Sequence, residues 1–144
     1  MRKIEDISAL DIEAILPHRK PFLLIDKLIS YNSDTLTVKT SFLVRRGGVF
    51  VCGDALSAAG ILENIAQSCA AKIGFFDWLN ELPVKPGVIG SVKNLKIYTY
   101  PKIGQLLITE ITLVTEVLGV MLANAVVRSE SGSSIAEATI KVAV

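Results

Sequence analysis

The sequence predicts an α+β fold, a curved antiparallel β-sheet wrapped around one long central helix. Three observations carry this reading. Ala55 to about Leu79 is the only long stretch with helical spacing. Its apolar residues Leu56, Ile61, Leu62, Ile65, Cys69, Ile73 and Phe76 surround it almost completely, so the helix is expected to be enclosed. Everything after it reads as strands cut by turn residues. With 144 residues, the chain is expected to form one domain over residues 1–144 and to bury about 70% of its unfolded surface.

The elements follow in order. Asp6 to Leu16 carries Ile7, Leu10 and Ile15 at roughly helical spacing, and Pro17 stops it. Phe22 to Ser30 is an aliphatic strand, and Tyr31-Asn32-Ser33-Asp34 supplies a turn. From Thr35 the chain alternates: Leu36, Val38, Thr40 and Phe42 share one face, while Thr37, Lys39 and Ser41 take the other. Arg45-Arg46-Gly47-Gly48 ends that strand. Asp54 and Ser57 are both suitable helix caps. After a break over residues 83–87 come strands Val88 to Tyr98, Gln105 to Leu118 and Val120 to Ser129. The last strand sets Ala136, Ala138, Ile140 and Val142 against Glu137, Thr139 and Lys141. Trp78, with Phe75 and Phe76, is expected to close one end of the core.

Composition narrows the function. Hydrophobic residues make up 51%, and the mean hydropathy is +0.50. A membrane helix needs about 20 consecutive apolar residues. The longest candidate, Val117 to Val127, contains Gly119 and Asn124 and is bounded by Glu116 and Arg128, so no membrane span is expected. The N-terminus MRKIEDIS lacks the apolar core of a signal peptide, which suggests a cytoplasmic protein. Fifteen basic and fourteen acidic residues give a net charge of +1, without the basic stripe that nucleic acid requires. Cys52, Cys69 and one histidine make no metal-binding pattern, so no metal and no cofactor is expected. Cys52 as a nucleophile would lack a histidine positioned by sequence to activate it.

Glu63 is the residue that asks for a function. It stands in an apolar helix with no lysine or arginine within a turn. Its neighbours three and four residues away are Ala59, Gly60, Ala66 and Gln67. The acid is therefore expected to face a space that its own helix does not fill. Close approach of a strand or a second subunit is the competing reason for such small residues. A buried carboxylate needs a partner or must stay protonated, the state an acid catalyst uses. Free N–H groups near Ala58 to Ile61 could hold a ligand carbonyl, with Gly60 permitting close approach. Ala59, Gly60, Ile61 and Gln67 are accordingly the substrate-binding candidates.

Two motifs then point to a family. Ile15-Leu16-Pro17-His18-Arg19-Lys20-Pro21-Phe22-Leu23-Leu24-Ile25-Asp26 resembles the opening of the β-hydroxyacyl-(acyl carrier protein) dehydratases of fatty-acid synthesis. Leu62-Glu63-Asn64-Ile65-Ala66-Gln67 is similar to their helix motif L-E-x-M-A-Q. Residues 90–96, 101–106 and 135–138 fit later strands and turns. The resemblance implies a hotdog fold and acyl tunnels at a dimer interface. It also implies an acyl thioester substrate on an acyl carrier protein or coenzyme A. In that family an acid on the helix works with a histidine from the other subunit, and Glu63 matches the acid.

The histidine does not carry over. The corresponding loop is Cys52-Gly53-Asp54-Ala55-Leu56-Ser57, shortened, with Asp54 after the glycine. His18 lies in the first motif and is read as structural. Such a loop is similar to that of the dehydratase-like subunits of aryl-polyene pathways. Glu63 and Asp54 are the catalytic candidates for a dehydratase, a hydro-lyase that forms a homodimer, or a heterodimer with a histidine-bearing paralog. Alternatives are a hotdog thioesterase using Asp54, Glu63 and Gln67, or a non-catalytic acyl-binding subunit. Arg45, Arg46, Lys93, Lys96 and Lys102 are available to steer an acidic carrier.

Overall fold

The computed structural model describes residues 1–83 and 88–143. Its strands are β1 (Lys27–Asn32), β2 (Thr37–Leu43), β3 (Val51–Cys52), β4 (Ala55–Leu56), β5 (Val88–Ile97), β6 (Leu106–Val117), β7 (Val120–Ser129) and β8 (Ser134–Ala143); the helix is α1 (Ala58–Leu79). Six strands form one sheet in the order β1-β2-β6-β7-β8-β5, antiparallel at every junction. The break expected over residues 83–87 lies, from residue 84 on, outside the described residues.

The core lies between α1 and the inner face of the sheet. Ile61, Ile65, Cys69 and Phe75 from the helix join Val38, Leu107, Ile111, Ala123, Ala125, Val127 and Ile140 from the strands in one buried cluster. On β8 the alternation holds, with Ala136, Ala138, Ile140 and Val142 all buried. At the end of α1, Phe75 stacks on Trp78 at 6.0 Å and meets Tyr31 edge-on at 5.1 Å. Phe76 points outward instead and is 52% exposed.

That exposure corrects the expectation of an enclosed helix. The sheet covers one side of α1 and leaves a stripe open. Ala59 and Phe76 are exposed on it, and Leu62, Glu63, Ala66, Ala70 and Ile73 are half-buried. These positions recur every three or four residues and so share a face.

The helix also begins three residues later than its apolar pattern suggests. Ala55 and Leu56 pair back onto Val51 and Cys52, while the N–H of Leu56 donates to the Pro101 carbonyl at 2.8 Å. Ser57 is the cap, its Oγ accepting the Gly60 N–H at 3.2 Å. Asn80 closes the other end, donating both its backbone N–H and its side-chain amide to the Phe76 carbonyl.

Asp6 to Leu16 is not one helix but two 3-10 turns, Ile7–Ala9 and Ile12–Ala14. Asp6 accepts the Ser8 N–H and Asp11 accepts the Glu13 N–H, each at 3.0 Å. These local bonds compete with a continuous helical ladder, and Leu10 between them is extended. The segment nevertheless packs tightly: a Cβ on Gly74 would collide with the Ile15 carbonyl.

The first hairpin shifts too. The Asn32 side chain accepts the N–H groups of Asp34 and Thr35 at 2.9 and 3.2 Å. This extends the turn to Leu36, which adopts a left-handed φ of 53°. Leu36 is thereby exposed rather than aligned with buried Val38 and Thr40. The strand expected from Phe22 starts only at Lys27, because the backbone before it is bound to the helix.

Candidate functional site

Glu63 and Gln67 stand one turn apart on α1. The Gln67 Nε2 donates to the Glu63 carboxylate at 2.9 Å and to the Phe22 carbonyl at 2.8 Å. Its Oε1 accepts the Leu24 N–H at 2.7 Å. The fully buried amide therefore has a fixed orientation and holds one oxygen of the acid in place. Among the described residues Glu63 forms no ion pair. It is half-buried rather than buried, because it lies on the stripe that the sheet leaves open.

Behind this pair lies a network the sequence reading missed. The Asn64 amide donates to the Leu24 carbonyl at 2.8 Å, and its Oδ1 accepts the Thr109 hydroxyl at 2.6 Å. Ser68 donates to the Asn64 carbonyl and shares a 2.8 Å bond with Thr40. All four side chains are fully buried. Asn64 and Gln67 thus satisfy both backbone groups of Leu24, which anchors that segment to α1. Each such bond contributes about 1 kcal/mol, and leaving a buried partner unmatched costs about 1–3 kcal/mol. The signal was present in the sequence: Asn64 and Gln67, three residues apart, are polar residues in an apolar helix.

The other candidates sit apart. Asp54 is exposed at the turn between β3 and β4. Its backbone carbonyl accepts the Ile103 N–H at 2.9 Å, and no bond joins its carboxylate to Glu63 among the described residues. The N–H of Gly60 is taken by Ser57 Oγ and that of Ile61 by the Ser57 carbonyl at 3.0 Å. Among the described residues, the donors without a partner at the helix start are therefore those of Ala58 and Ala59, both exposed. Gly60 has a steric role: a Cβ there would lie 2.5 Å from Leu56 and 2.8 Å from Phe50. Ile61 is a core residue. His18 is half-buried, and its Nδ1 is buried without a hydrogen-bond partner among the described residues.

Two further groups respond to burial. Burial pushes the Cys69 thiol up to about 12, against a weaker pull from Lys72. Burial also lowers the Lys72 ammonium below its ordinary value, opposed by the charges of Glu116 and Cys69. Cys52 is exposed.

Known proteins resemble this chain along most of its length. The family described as ApeP-like, ApeP dehydratase, matches residues 10–144. The 3-hydroxyacyl-(acyl-carrier-protein) dehydratase FabZ of Chlamydia muridarum is 31% identical over 130 residues, covering 83% of this chain and 82% of that protein. The solved dehydratase heterocomplex ApeI:P from Xenorhabdus doucetiae superposes with a TM-score of 0.83 at 17% identity, covering 93% of this chain and 90% of the matched chain. A hypothetical thioesterase from Streptococcus pneumoniae, solved with coenzyme A, gives 0.66 at 10% identity over 82% of this chain and 84% of its own. The structural matches show that the fold is the hotdog. With the family match spanning nearly its whole length, the chain belongs to the ApeP-like dehydratases.

Proposed function

We propose that this chain is a 3-hydroxyacyl dehydratase-like subunit that binds an acyl thioester against the open stripe of α1. The observation that carries the proposal is Glu63: an acid held by Gln67, without a cation among the described residues and turned out of its own chain's core. The thioester carbonyl lies at the N–H groups of Ala58 and Ala59, which stabilise negative charge developing on its oxygen. A base removes a proton from the carbon beside the carbonyl. Protonated Glu63 then gives its proton to the departing β-hydroxyl, leaving the 2-enoyl thioester and water.

The base comes from a second chain, a paralog bearing a histidine opposite Glu63. His18, the only histidine, is anchored in the segment before β1 and is assigned no step. The end strand β5 has one edge without a strand partner in this sheet, which supports pairing with another chain. The ApeI:P neighbour is itself a heterocomplex. Asp54, exposed at its hairpin, is assigned to contact with the partner rather than to proton transfer.

The test is dehydration of a 3-hydroxyacyl thioester by this chain mixed with a histidine-bearing paralog. Glu63→Gln should lower the rate by about 100-fold or more, while Asp54→Asn should leave at least part of it. An unchanged rate with Glu63→Gln removes Glu63 from the working site. Release of free thiol instead of an enoyl product would mark the chain as a thioesterase.

A further inference from the structure

The segment before β1 runs backward along α1. The Arg2 N–H donates to the Leu79 carbonyl at 2.7 Å, and the Arg2 guanidinium lies over the Trp78 ring at 4.9 Å. Farther on, the Ile15 carbonyl sits so close to Gly74 that a Cβ there would collide with it. Phe22 and Leu24 then reach Gln67, and Leu24 also reaches Asn64. Leu79, Gly74, Gln67 and Asn64 are thus met in turn as the segment advances. Ile12, Ile15, Leu16 and Leu24 are its buried anchors.

Between Ile15 and Phe22 the segment is braced by a side chain of its own. The Arg19 guanidinium donates to the Leu16, His18 and Glu13 carbonyls at 2.7, 2.8 and 3.3 Å. It also pairs with the Glu13 carboxylate at 2.7 Å. The Phe22 N–H closes the next turn on the Arg19 carbonyl at 2.9 Å. Pro17 and Pro21 fix two further backbone angles. Residues 13–22 therefore shift as one body, and what fixes Ile15 also fixes Phe22.

The far end of that body decides what Gln67 shows to Glu63. It offers Gln67 one carbonyl, from Phe22, and one N–H, from Leu24. An amide carries two donor hydrogens on its nitrogen and only acceptor sites on its oxygen. One orientation meets both groups, and it leaves the second Nε2 hydrogen for Glu63 Oε1. The reverse orientation would set the amide oxygen against the Phe22 carbonyl and the carboxylate together. With Oε1 accepting from Gln67, the proton that Glu63 transfers is carried on Oε2. Ile15 meets the helix at Gly74, eleven residues from Glu63 and about 16 Å along the axis. Resting on the dehydratase reading, we propose that Ile15 and Gly74 are positioning residues for the reaction. They act through the braced segment and Gln67 to fix which oxygen of Glu63 holds the proton.

Gly74→Ala drives the Ile15 carbonyl off the helix and tests this. In the paired assay kcat should fall by about tenfold with KM nearly unchanged, the loss expected when Gln67 itself is removed. In a Gln67→Ala background the same substitution should lower kcat little further, because both act through one contact. Hydrogen exchange should show the Leu24 N–H losing protection while the amides of Ile61 and Ile65 keep theirs. Should Gly74→Ala fail to fold, Arg19→Ala replaces it with the same expected outcomes, since that side chain is 53% exposed and its loss releases the brace. Full kcat with Leu24 deprotected overturns the proposal. So does an unchanged Leu24 N–H, or a loss of kcat that is equally large without Gln67. If the paired enzyme makes no enoyl product, the dehydratase reading fails by itself. The coupling is then decided by the NMR signals of the Gln67 side-chain amide, identified by their loss in Gln67→Ala. Displaced in Gly74→Ala, they uphold it; unmoved, they overturn it.

Discussion

The two sides of α1 treat polar groups in opposite ways. Toward the sheet, Asn64, Ser68, Thr40 and Thr109 are fully buried, and each is hydrogen-bonded to another member of the set. Toward the open stripe, Glu63 keeps one partner among the described residues, Gln67, and its other neighbours three and four positions away, Ala59, Gly60 and Ala66, are small. A closed network fixes position and resists change; a singly held acid beside small residues is available for a ligand. Gln67 joins the two sides, since it bonds both to Glu63 and to the clamped segment. The contrast predicts that substitutions on one side change stability and on the other change activity.

Glu63→Gln should give the sharpest separation. The rate of the paired enzyme falls by about 100-fold or more, while the denaturation midpoint moves little, because an amide can still accept from Gln67. A large loss of stability in this variant would mean that the open side is structural and would break the comparison.

Asn64→Ala is the converse. It leaves the Leu24 carbonyl and the Thr109 hydroxyl buried without their partner. The expected cost is about 2–6 kcal/mol of unfolding free energy, the sum of two unmatched groups. Urea denaturation at constant slope measures it. A cost below about 1 kcal/mol would show that the network rearranges freely.

Gln67→Ala should show a mixture. Loss of the buried Leu24 and part-buried Phe22 contacts lowers stability by about 2–4 kcal/mol. Release of Glu63 lowers kcat by about tenfold with KM nearly unchanged, the mark of an interaction felt in the transition state. Gln67→Glu should not rescue kcat, since a second carboxylate cannot donate to the first.

How far the sequence could be read follows from the same contrast. Period-two alternation identifies β8, whose inner residues Ala136, Ala138, Ile140 and Val142 are all buried. The helix end at Leu79 was legible from its composition. Its start was not, since Ala55 and Leu56 suit a helix but their backbone is bound by β3 and Pro101. Asp6 and Asp11 looked like a helical stretch while acting as separate local caps. Glu63 is visible as an acid out of place, and Gln67 as a polar neighbour one turn on. The chain-crossing bonds from Gln67 to Phe22 and Leu24 span more than forty positions, and no local pattern reports them.

Lys72 was likewise invisible in the sequence and gives the smallest expected effect. It is only 8% exposed, and burial lowers its ammonium below the usual 10.5 despite the charges of Glu116 and Cys69. Between that lowered value and 10.5 the unfolded chain holds more protons at this site than the folded one. Stability from Lys72 therefore rises with pH across the window, and at neutral pH the full penalty is present. Cys69 acts oppositely above pH 9.0, since its thiol is held up to about 12 in the folded chain. Because Lys72 itself pulls on Cys69, Lys72→Met also changes that thiol's titration, so the two chains compare cleanly below pH 9.0. The substitution keeps the stem and removes the buried charge, so it should stabilise the chain by roughly 1 kcal/mol at pH 7. The difference should shrink as pH approaches 10.5. A destabilised Lys72→Met protein at pH 7 would instead mean that Lys72 and Glu116 form a favourable pair.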